Sequence, residues 1–130
     1  MITFAYTILY VQDVEKSISF YERAFDLKRK FIVPGNSYGE LITGATTLSF
    51  ASIEQASSNL KDGFIESSVK NKPQAFEIAF ATDDVGKVCK RAIQEGAIAE
   101  SEPAFKSHGQ TVAYVRDPDG FLIEICTPMD

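Results

Sequence analysis

The feature of this 130-residue chain that most constrains its fold is an internal repeat. Residues 6–14 align with residues 77–85 at a constant offset of 71, and each copy runs from an apolar strand pattern through an acidic residue into a helical pattern. Three further strand patterns follow each copy. A repeat of this kind indicates one supersecondary unit used twice. We therefore expect an α+β fold made of two tandem βαβββ modules.

The first copy has clear signals for a strand and a helix. Residues 2–11 are rich in β-branched and aromatic side chains, which favour a strand. Asp13 is a typical N-cap, and the segment Asp26-Leu27 is a suitable end for the helix because Asp tolerates the left-handed conformation. The apolar positions that repeat with the helical period are Val14, Ile18, Tyr21 and Phe25. Strands are predicted at about 28–33, 38–43 and 46–51, with turns at 33–36 and 43–46.

The second copy repeats the order of the first. Residues 75–82 read as a strand, Asp83-Asp84 caps a helix, and Gly96 stands where a C-terminal cap belongs. The predicted core face of this helix consists of Val85, Val88, Cys89, Ala92 and Ile93. Strands are predicted at about 98–104, 111–116 and 121–126, with a strong turn signal in Asp117-Pro118-Asp119-Gly120 between the last two.

The two modules are expected to form one domain with a long connection. Module 1 covers about residues 1–52, a linker about 53–73, and module 2 about 74–130. The linker is mostly polar, but apolar residues such as Leu60 and Phe64 interrupt it. Structureless connections of this length are uncommon in compact domains, so the linker is either a plain connector or a segment that packs as a lid.

Composition narrows the classes of partner and compartment. The net charge of −5 disfavours nucleic acid and anionic membranes as partners, and favours neutral or cationic ligands. The two cysteines, Cys89 and Cys126, are too few for a disulfide scaffold. The chain shows neither a signal-peptide pattern nor an apolar run of 18 residues. We expect a cytoplasmic protein.

Two segments carry a family resemblance. They are Val11-Gln12-Asp13-Val14-Glu15-Lys16-Ser17, leading to Phe20-Tyr21, and the closing run from Arg116 to Ile125 around the Asp-Pro-Asp-Gly turn. With the repeat, they make the chain similar to the vicinal-oxygen-chelate superfamily of glyoxalases, bleomycin-resistance proteins and extradiol dioxygenases. The resemblance implies eight strands that curl around a cleft with helices outside, and a homodimer. It leaves the reaction open, because functions vary widely on this fold.

The resemblance also implies four positions for metal ligands, one on the first and one on the last strand of each module. Here they hold Tyr6, Ser49 (with an uncertainty of two positions), Glu77 and Glu124. Neither expected histidine is present, and imidazole is the nitrogen ligand that zinc, nickel and iron prefer. An all-oxygen set would hold Mg²⁺ or Mn²⁺ weakly. We therefore expect no cofactor, with a divalent Mg, Mn, Zn or Ni ion as the alternative.

Without a metal, the same positions predict an acidic site lined by aromatic residues. Side chains alternate along a strand, so Tyr6 and Tyr10 share one face in module 1. In module 2, Glu77 and Glu124 fall on one face, and Cys126 lies beside Glu124 in this pattern. Two carboxylates that face one site act as an acid/base pair, because repulsion and burial raise one pKa, or they attract a cation.

Each candidate also has a structural interpretation. Glu77 and Glu124 are ordinary outward-facing residues in that case, the tyrosines pack in the core, and Cys126 is a small apolar residue. His108, the only histidine, is either a site residue or a solvated loop residue.

Three functions remain open. The first is a metal-independent small-molecule-binding protein of the bleomycin-resistance kind. The second is a glyoxalase-like lyase or isomerase that uses Glu124, with or without a metal. The third is a scaffold or regulatory module. Stoichiometric binding without turnover would mark the first, and loss of activity on Glu124→Gln would mark the second.

Overall fold

The computed structural model describes residues 1–129 and confirms the α+β fold. Its chain contacts divide the protein into two compact units, here called the first unit, Met1–Glu66, and the second unit, Ser67–Asp130. In chain order the elements are β1 (Tyr6–Val11), α1 (Val14–Phe25), β2 (Lys28–Ile32), β3 (Tyr38–Ile42), β4 (Thr47–Ser52), α2 (Ile53–Asn59), β5 (Ile78–Ala81), α3 (Val85–Gln94), β6 (Ile98–Phe105), β7 (Thr111–Arg116) and β8 (Leu122–Cys126).

Each unit contains one four-stranded sheet with the same topology. The strand order is β1-β4-β3-β2 in the first unit and β5-β8-β7-β6 in the second. In each sheet the first strand pairs in parallel with the last, and the remaining pairs are antiparallel. Two parallel strands need a long connection between them, and the helix directly after the first strand is part of that connection. The βαβββ order therefore occurs twice.

Helix α1 begins and ends where the sequence predicts. The Asp13 carboxylate accepts the backbone N–H of Lys16 at 3.2 Å, and Asp26 adopts the left-handed conformation with φ 56°. The Asp13 hydrogen bond satisfies one of the N–H groups that a helix start leaves unpaired, and the left-handed conformation of Asp26 ends the helix. The buried face of α1 consists of Val14, Ser17, Ile18, Phe20, Tyr21 and Ala24.

Helix α3 has the same cap but a smaller core face. The Asp84 carboxylate accepts the Lys87 N–H at 3.1 Å, and Gly96 follows the helix with φ 121°. Its buried residues are Val85, Cys89 and Ala92. The prediction that Ile93 belongs to this core is wrong, because its side chain is 42% exposed. Ile93 lies about 100° around the helix from Ala92, at the edge of the buried stripe.

The predicted turns are present in both units. The Asn36 N–H donates to the Val33 carbonyl at 3.1 Å while Gly35 has φ 92°, as a type II turn requires. Gly44 has φ 95° in the β3–β4 turn. In the β7–β8 turn, the buried Asp117 carboxylate accepts the backbone N–H groups of Asp119 and Phe121, both at 2.9 Å.

The segment between the modules contains a helix that the sequence analysis missed. Helix α2 begins after Ser52, whose hydroxyl accepts the Gln55 N–H at 3.1 Å. Only Ala56 of this helix is buried, so it has no apolar period for a sequence pattern to reveal. Among the helices of residues 1–129, none has the length and apolar character that crossing a bilayer requires.

Candidate functional site

The candidate residues lie on the sheet faces opposite the helices. In β1, Leu9 and Val11 are 1% exposed and contribute to the core, whereas Tyr6 and Ile8 on the other face are 53% and 43% exposed. In β8 the buried Ile123 and Ile125 alternate with the half-buried Glu124. This is the alternation expected of a sheet with one face in the core.

The second unit brings the carboxyl groups of Glu77 and Glu124 together. Tyr114 is the cross-strand partner of Glu124, and its hydroxyl donates a hydrogen bond to Glu124 Oε1 at 2.9 Å. The carboxyl group of Glu77, one residue before β5, is hydrogen-bonded to Glu124 as well. Ala79, the parallel partner of Glu124, adds only a methyl group beside it. We call Glu77, Tyr114 and Glu124 the carboxyl triad.

The hydrogen bond between the two carboxyl groups separates their pKa values. The hydrogen bond to Glu124, followed by desolvation and repulsion, raises the pKa of Glu77. Desolvation alone would raise the pKa of Glu124 too, but hydrogen bonds from Glu77 and Tyr114 hold it below its ordinary value. Desolvation and the neighbouring carboxylate raise the pKa of Tyr114 to about 12. Glu124 is therefore the group of the pair that ionises first, and Glu77 the one that keeps its proton to higher pH.

Two further groups surround the triad. His108 Nε2 lies 2.6 Å from Gln110 Oε1, and the buried Gln110 donates to the Thr127 carbonyl at 2.7 Å. His108 also interacts electrostatically with Glu124. Burial, then the nearby Glu124, raises the pKa of the Cys126 thiol. This thiol stays protonated at neutral pH, which makes it a poor nucleophile.

The first unit places a different set of groups at its centre. The Tyr38 hydroxyl donates to Glu40 Oε2 at 2.7 Å, and Glu40 is the cross-strand partner of Ser49. Desolvation raises the pKa of Tyr38 to about 12, while Ser49 hydrogen-bonds to it and Tyr6 interacts with it electrostatically. Tyr10 packs against Phe64, with ring centroids 4.8 Å apart.

The strand registers identify equivalent positions in the two units. Ser49 pairs with Ile8, and Glu124 pairs with Ala79; these partners are themselves related by the repeat offset of 71. Ser49 is thus the counterpart of Glu124. By the same logic Glu40, opposite Ser49, is the counterpart of Tyr114.

Three residues of these faces, Tyr38, Glu40 and Tyr114, were not predicted from the sequence. The position of Glu40 could have been predicted, because a two-residue turn at 43–46 places Glu40 opposite Ser49. The position of Tyr114 opposite Glu124 could not be predicted in this way, because Phe121 lies outside β8 and lengthens the turn by one residue. A register shift of one residue moves every side chain to the other face, so the predicted strand limits did not place Tyr114 beside Glu124.

The sequence also matches a known family over almost its whole length. Residues 3–125 match the Glyoxalase/Bleomycin resistance protein/Dioxygenase superfamily. The chain belongs to this superfamily. A probable lactoylglutathione lyase of Vibrio cholerae is 31% identical in an alignment of 124 positions that covers 92% of this chain and 86% of that protein. The lactoylglutathione lyase of Arabidopsis thaliana is 26% identical over 125 residues.

The matches differ in how much of the relative they cover. The chain aligns over 94% of its own length with the Arabidopsis protein, but spans only 43% of that protein's length. Among solved structures, a glyoxalase-related enzyme from Fulvimarina pelagi superimposes with a TM-score of 0.82 at 20% identity, covering 98% of this chain and 89% of that one. At this identity the likeness concerns the fold alone.

Members of the superfamily often hold a divalent metal, and the residues present here do not fit a nitrogen-containing site. Within residues 1–129, His, Cys, Asp and Glu side chains do not form a group of three or more that could hold an ion. The donors of the second unit are two carboxyl groups that are hydrogen-bonded to each other and a phenol whose pKa is raised to about 12. Zinc and nickel prefer imidazole or thiolate ligands.

Proposed function

We propose that this chain is a metal-independent small-molecule-binding member of the superfamily, with the carboxyl triad as its recognition site. The observation that carries the proposal is the hydrogen-bonded pair of Glu77 and Glu124, whose pKa values shift in opposite directions, with Tyr114 donating to Glu124. Such a pair places a group that ionises early beside one that ionises late, and its charge is zero or negative at every pH. It suits a neutral or cationic ligand better than an anion.

Neighbouring residues support a ligand at this face. Ala79 and Ala81 are small and exposed, so they leave room above β5 next to Glu124. His108 is proposed as a further ligand contact, because it is exposed and interacts with Glu124. Tyr6, Tyr10 and Ser49 are proposed ligand contacts in the first unit. We further propose a cytoplasmic homodimer, as expected for this superfamily.

Binding in the absence of metal tests the proposal. The probes are the cationic dye acridine orange and metal-free bleomycin, titrated calorimetrically in the presence of EDTA. We expect saturable binding that weakens about tenfold in Glu124→Gln, the loss typical of a charge-assisted hydrogen bond. Glu54→Gln is the matched control, since Glu54 is an exposed residue of α2.

The same preparation, freed of EDTA, is then titrated with Mg²⁺, Mn²⁺, Zn²⁺ and Ni²⁺. Stoichiometric tight binding that is lost in Glu124→Gln would contradict the metal-independent site. Absence of binding to every probe, in protein that remains folded, would favour the scaffold or regulatory module instead.

The opposite pKa shifts of Glu77 and Glu124 favour one second candidate, a lyase or isomerase that moves a proton. The Glu124 carboxylate would take a proton from a carbon next to a carbonyl group, while the Glu77 acid gives its proton to the carbonyl oxygen. If the first carbon carries a hydroxyl group, the product of this step is a neutral enediol. Glu124 then gives its proton to the former carbonyl carbon while Glu77 takes the proton of the first carbon's hydroxyl, which completes an isomerisation and restores both glutamates. A pair of titrating groups with separated pKa values is suited to such acid/base work.

Turnover distinguishes this candidate from simple binding. Relatives are named lactoylglutathione lyase, so formation and breakdown of lactoylglutathione is the reaction to assay first. Activity that falls at least a hundredfold in both Glu77→Gln and Glu124→Gln would establish proton transfer by the triad. Equal rates in the wild type and both variants would exclude it.

A further inference from the structure

The second unit contains a cavity between helix α3 and the edge strand β6. Its volume is about 380 Å³, and both elements contribute to its lining. Ala99 of β6 is the cross-strand partner of the buried Val115, whereas the neighbouring Tyr114 belongs to the carboxyl triad on the other face of the sheet. Ligand cavities begin at about 300 Å³. The space is therefore large enough for a small molecule, and it is separate from the triad.

Small residues keep this cavity open at positions that the first unit fills. Gly86 of α3 and Ala99 of β6 correspond to Glu15 and Arg29 in the first unit. Arg29 donates to Glu15 at 2.8 Å and so occupies the space between its helix and its edge strand. Glycine and alanine have no side chain of that length. Two register shifts in β6 also bend this strand, as β-bulges do. The cavity thus follows from the sequence of the second unit.

The interior of the cavity is largely apolar. Cys89 is 6% exposed, and burial raises the pKa of its thiol, which is therefore uncharged at neutral pH. Ile93 is a large aliphatic residue of the lining, yet it is 42% exposed. Ala99 and Pro103 add apolar surface from the strand. A ligand that removes this surface from water gains binding free energy through the hydrophobic effect.

The polar residues of the lining favour an uncharged ligand. Lys90 and Glu102 are exposed and carry opposite charges, so their effects on a charged ligand oppose each other. Gln94 and Ser101 are exposed and uncharged. Their side chains each have a hydrogen-bond donor and an acceptor, which suits one hydroxyl or carbonyl group on a ligand.

The edge of β6 is poorly suited to another protein chain. All eight residues of this edge strand are exposed, and an open edge is a template for strand addition. However, two register shifts interrupt it, Pro103 lacks an N–H group, and Glu100 and Glu102 place charges along it. Bulges, proline and charged residues are the features that protect an edge from strand addition. A small molecule therefore fits this part of the structure better than a second copy or a peptide.

We propose that the cavity between α3 and β6 binds a compact, uncharged apolar molecule about the size of one or two rings. The rings lie against Ile93 and Ala99, and one hydroxyl or carbonyl group of the ligand bonds to Gln94 or Ser101. This site is distinct from the carboxyl triad and goes beyond the proposed function. Both sites can be occupied at once.

The test is an NMR titration of the full chain with 2-naphthol, an uncharged two-ring compound, at neutral pH. We expect saturable shifts of the amide signals of Cys89, Ile93 and Ala99. Ala99→Leu places a larger side chain in the cavity and should weaken binding by about tenfold or more. Ala104→Leu is the matched control on the same strand, because Ala104 pairs with Val112 and so lies on the face of Tyr114. Its affinity should stay within about twofold of the wild type.

A second variant tests the apolar wall by a change at an exposed position. Ile93→Gln keeps a side chain of similar length and suits a helix, so the protein should fold normally. We expect it to weaken naphthol binding about threefold or more, because the wall becomes polar. Ile98→Gln is the matched control, since Ile98 is 46% exposed and is not one of the described residues that line the cavity.

The outcomes for the two sites are distinguishable. Absence of saturable naphthol binding to the folded protein would overturn the inference. So would an affinity that is unchanged in Ile93→Gln and in folded Ala99→Leu. If the affinity falls in Glu124→Gln alone, naphthol binds at the carboxyl triad, so the proposed function survives and the cavity site does not. If naphthol binds as expected while no probe binds at the triad, the cavity site stands and the proposed function fails.

Discussion

The helix and the edge strand of the sheet are joined differently in the two units. In the first unit, Arg29 of β2 donates to Glu15 at 2.8 Å and to Glu22 at 2.7 Å on α1. It also donates to Ser19 at 3.2 Å. In the second unit the repeat offset and the strand register put Gly86, Lys90, Ile93 and Ala99 at the corresponding positions. These residues line a cavity of about 380 Å³ between α3 and β6.

The difference shows which part of the module is indispensable. Both units keep the acidic N-cap, the sheet order and the turn glycine, although a cavity in the second unit replaces the ionic bridge between helix and edge strand. The acid on the open sheet face has also changed strands. It is Glu40 on β3 in the first unit and Glu124 on β8, the counterpart of β4, in the second. Caps and turns define the fold, and face residues are free to diverge.

The largest effect is expected at the turn glycines, which are conserved between the units but differ in surroundings. A Cβ at Gly120 would lie 2.5 Å from the Ser68 backbone carbon, at φ 96°, whereas a Cβ at Gly44 would meet nothing within 4 Å, at φ 95°. We expect Gly120→Ala to lower the free energy of unfolding by about 3 kcal/mol or more, and Gly44→Ala by about 1 kcal/mol. Urea denaturation measures both, and equal losses would show that the Ser68 contact yields easily.

Most of this shared framework was predictable from the sequence. The offset of 71 and the two acidic caps predicted both helices, and the turn residues predicted both hairpins. These signals are local, so a single chain reveals them. The sequence placed Glu77 and Glu124 on one face as a candidate pair, but it did not reveal the hydrogen bond from Tyr114 to Glu124. That contact depends on a one-residue register choice that only the packed sheet decides.

Other features lacked a readable local signal. Helix α2 is short and buries only Ala56, so its sequence resembles a polar linker. The predicted strands β1 and β5 begin too early, at Ile2 and Ala75. Apolar side chains already occur several residues before the point where strand pairing starts. Strand pairing is a non-local property, and composition does not mark its limit.

An intermediate effect is expected at the helix–strand bridge. Arg29→Ala removes contacts to two carboxylates that are themselves partly exposed, so we expect a loss of about 1 kcal/mol that diminishes in high salt. In the reciprocal variant Ala99→Arg, the corresponding positions of α3 carry no carboxylate for the new arginine to contact. We therefore expect its free energy of unfolding to change by less than about 0.5 kcal/mol. Thermal denaturation at low and high salt measures both. A stabilisation by Ala99→Arg equal to the loss in Arg29→Ala would mean that the units are interchangeable here.

The smallest effect is a difference in pH response between the units. Hydrogen bonds from Arg29 lower the pKa values of Glu15 and Glu22. Their contribution is therefore present above the ordinary glutamate pKa and lost as the pH falls through the folded values. The pKa of Glu77 is raised, so the folded state holds a proton that the unfolded chain has released, and stability falls as the pH rises through that window.

Denaturation at a series of pH values tests these signs. The stability of Glu77→Gln relative to the wild type should increase as the pH rises above the ordinary glutamate value. The destabilisation by Arg29→Ala should shrink as the pH falls below it. Parallel pH profiles for the wild type and Glu77→Gln would show that Glu77 titrates normally.

The most direct test of the central claim is the titration of individual glutamate carboxyl carbons by NMR, in the wild type and in Glu124→Gln. We expect the pKa of Glu77 to lie above the ordinary glutamate range and that of Glu124 below it. The pKa of Glu77 should return toward the ordinary value when Glu124 is replaced. Two carboxyl groups that both titrate at ordinary values, with Glu77 unaffected by Glu124→Gln, would contradict the coupled pair and the binding site built on it.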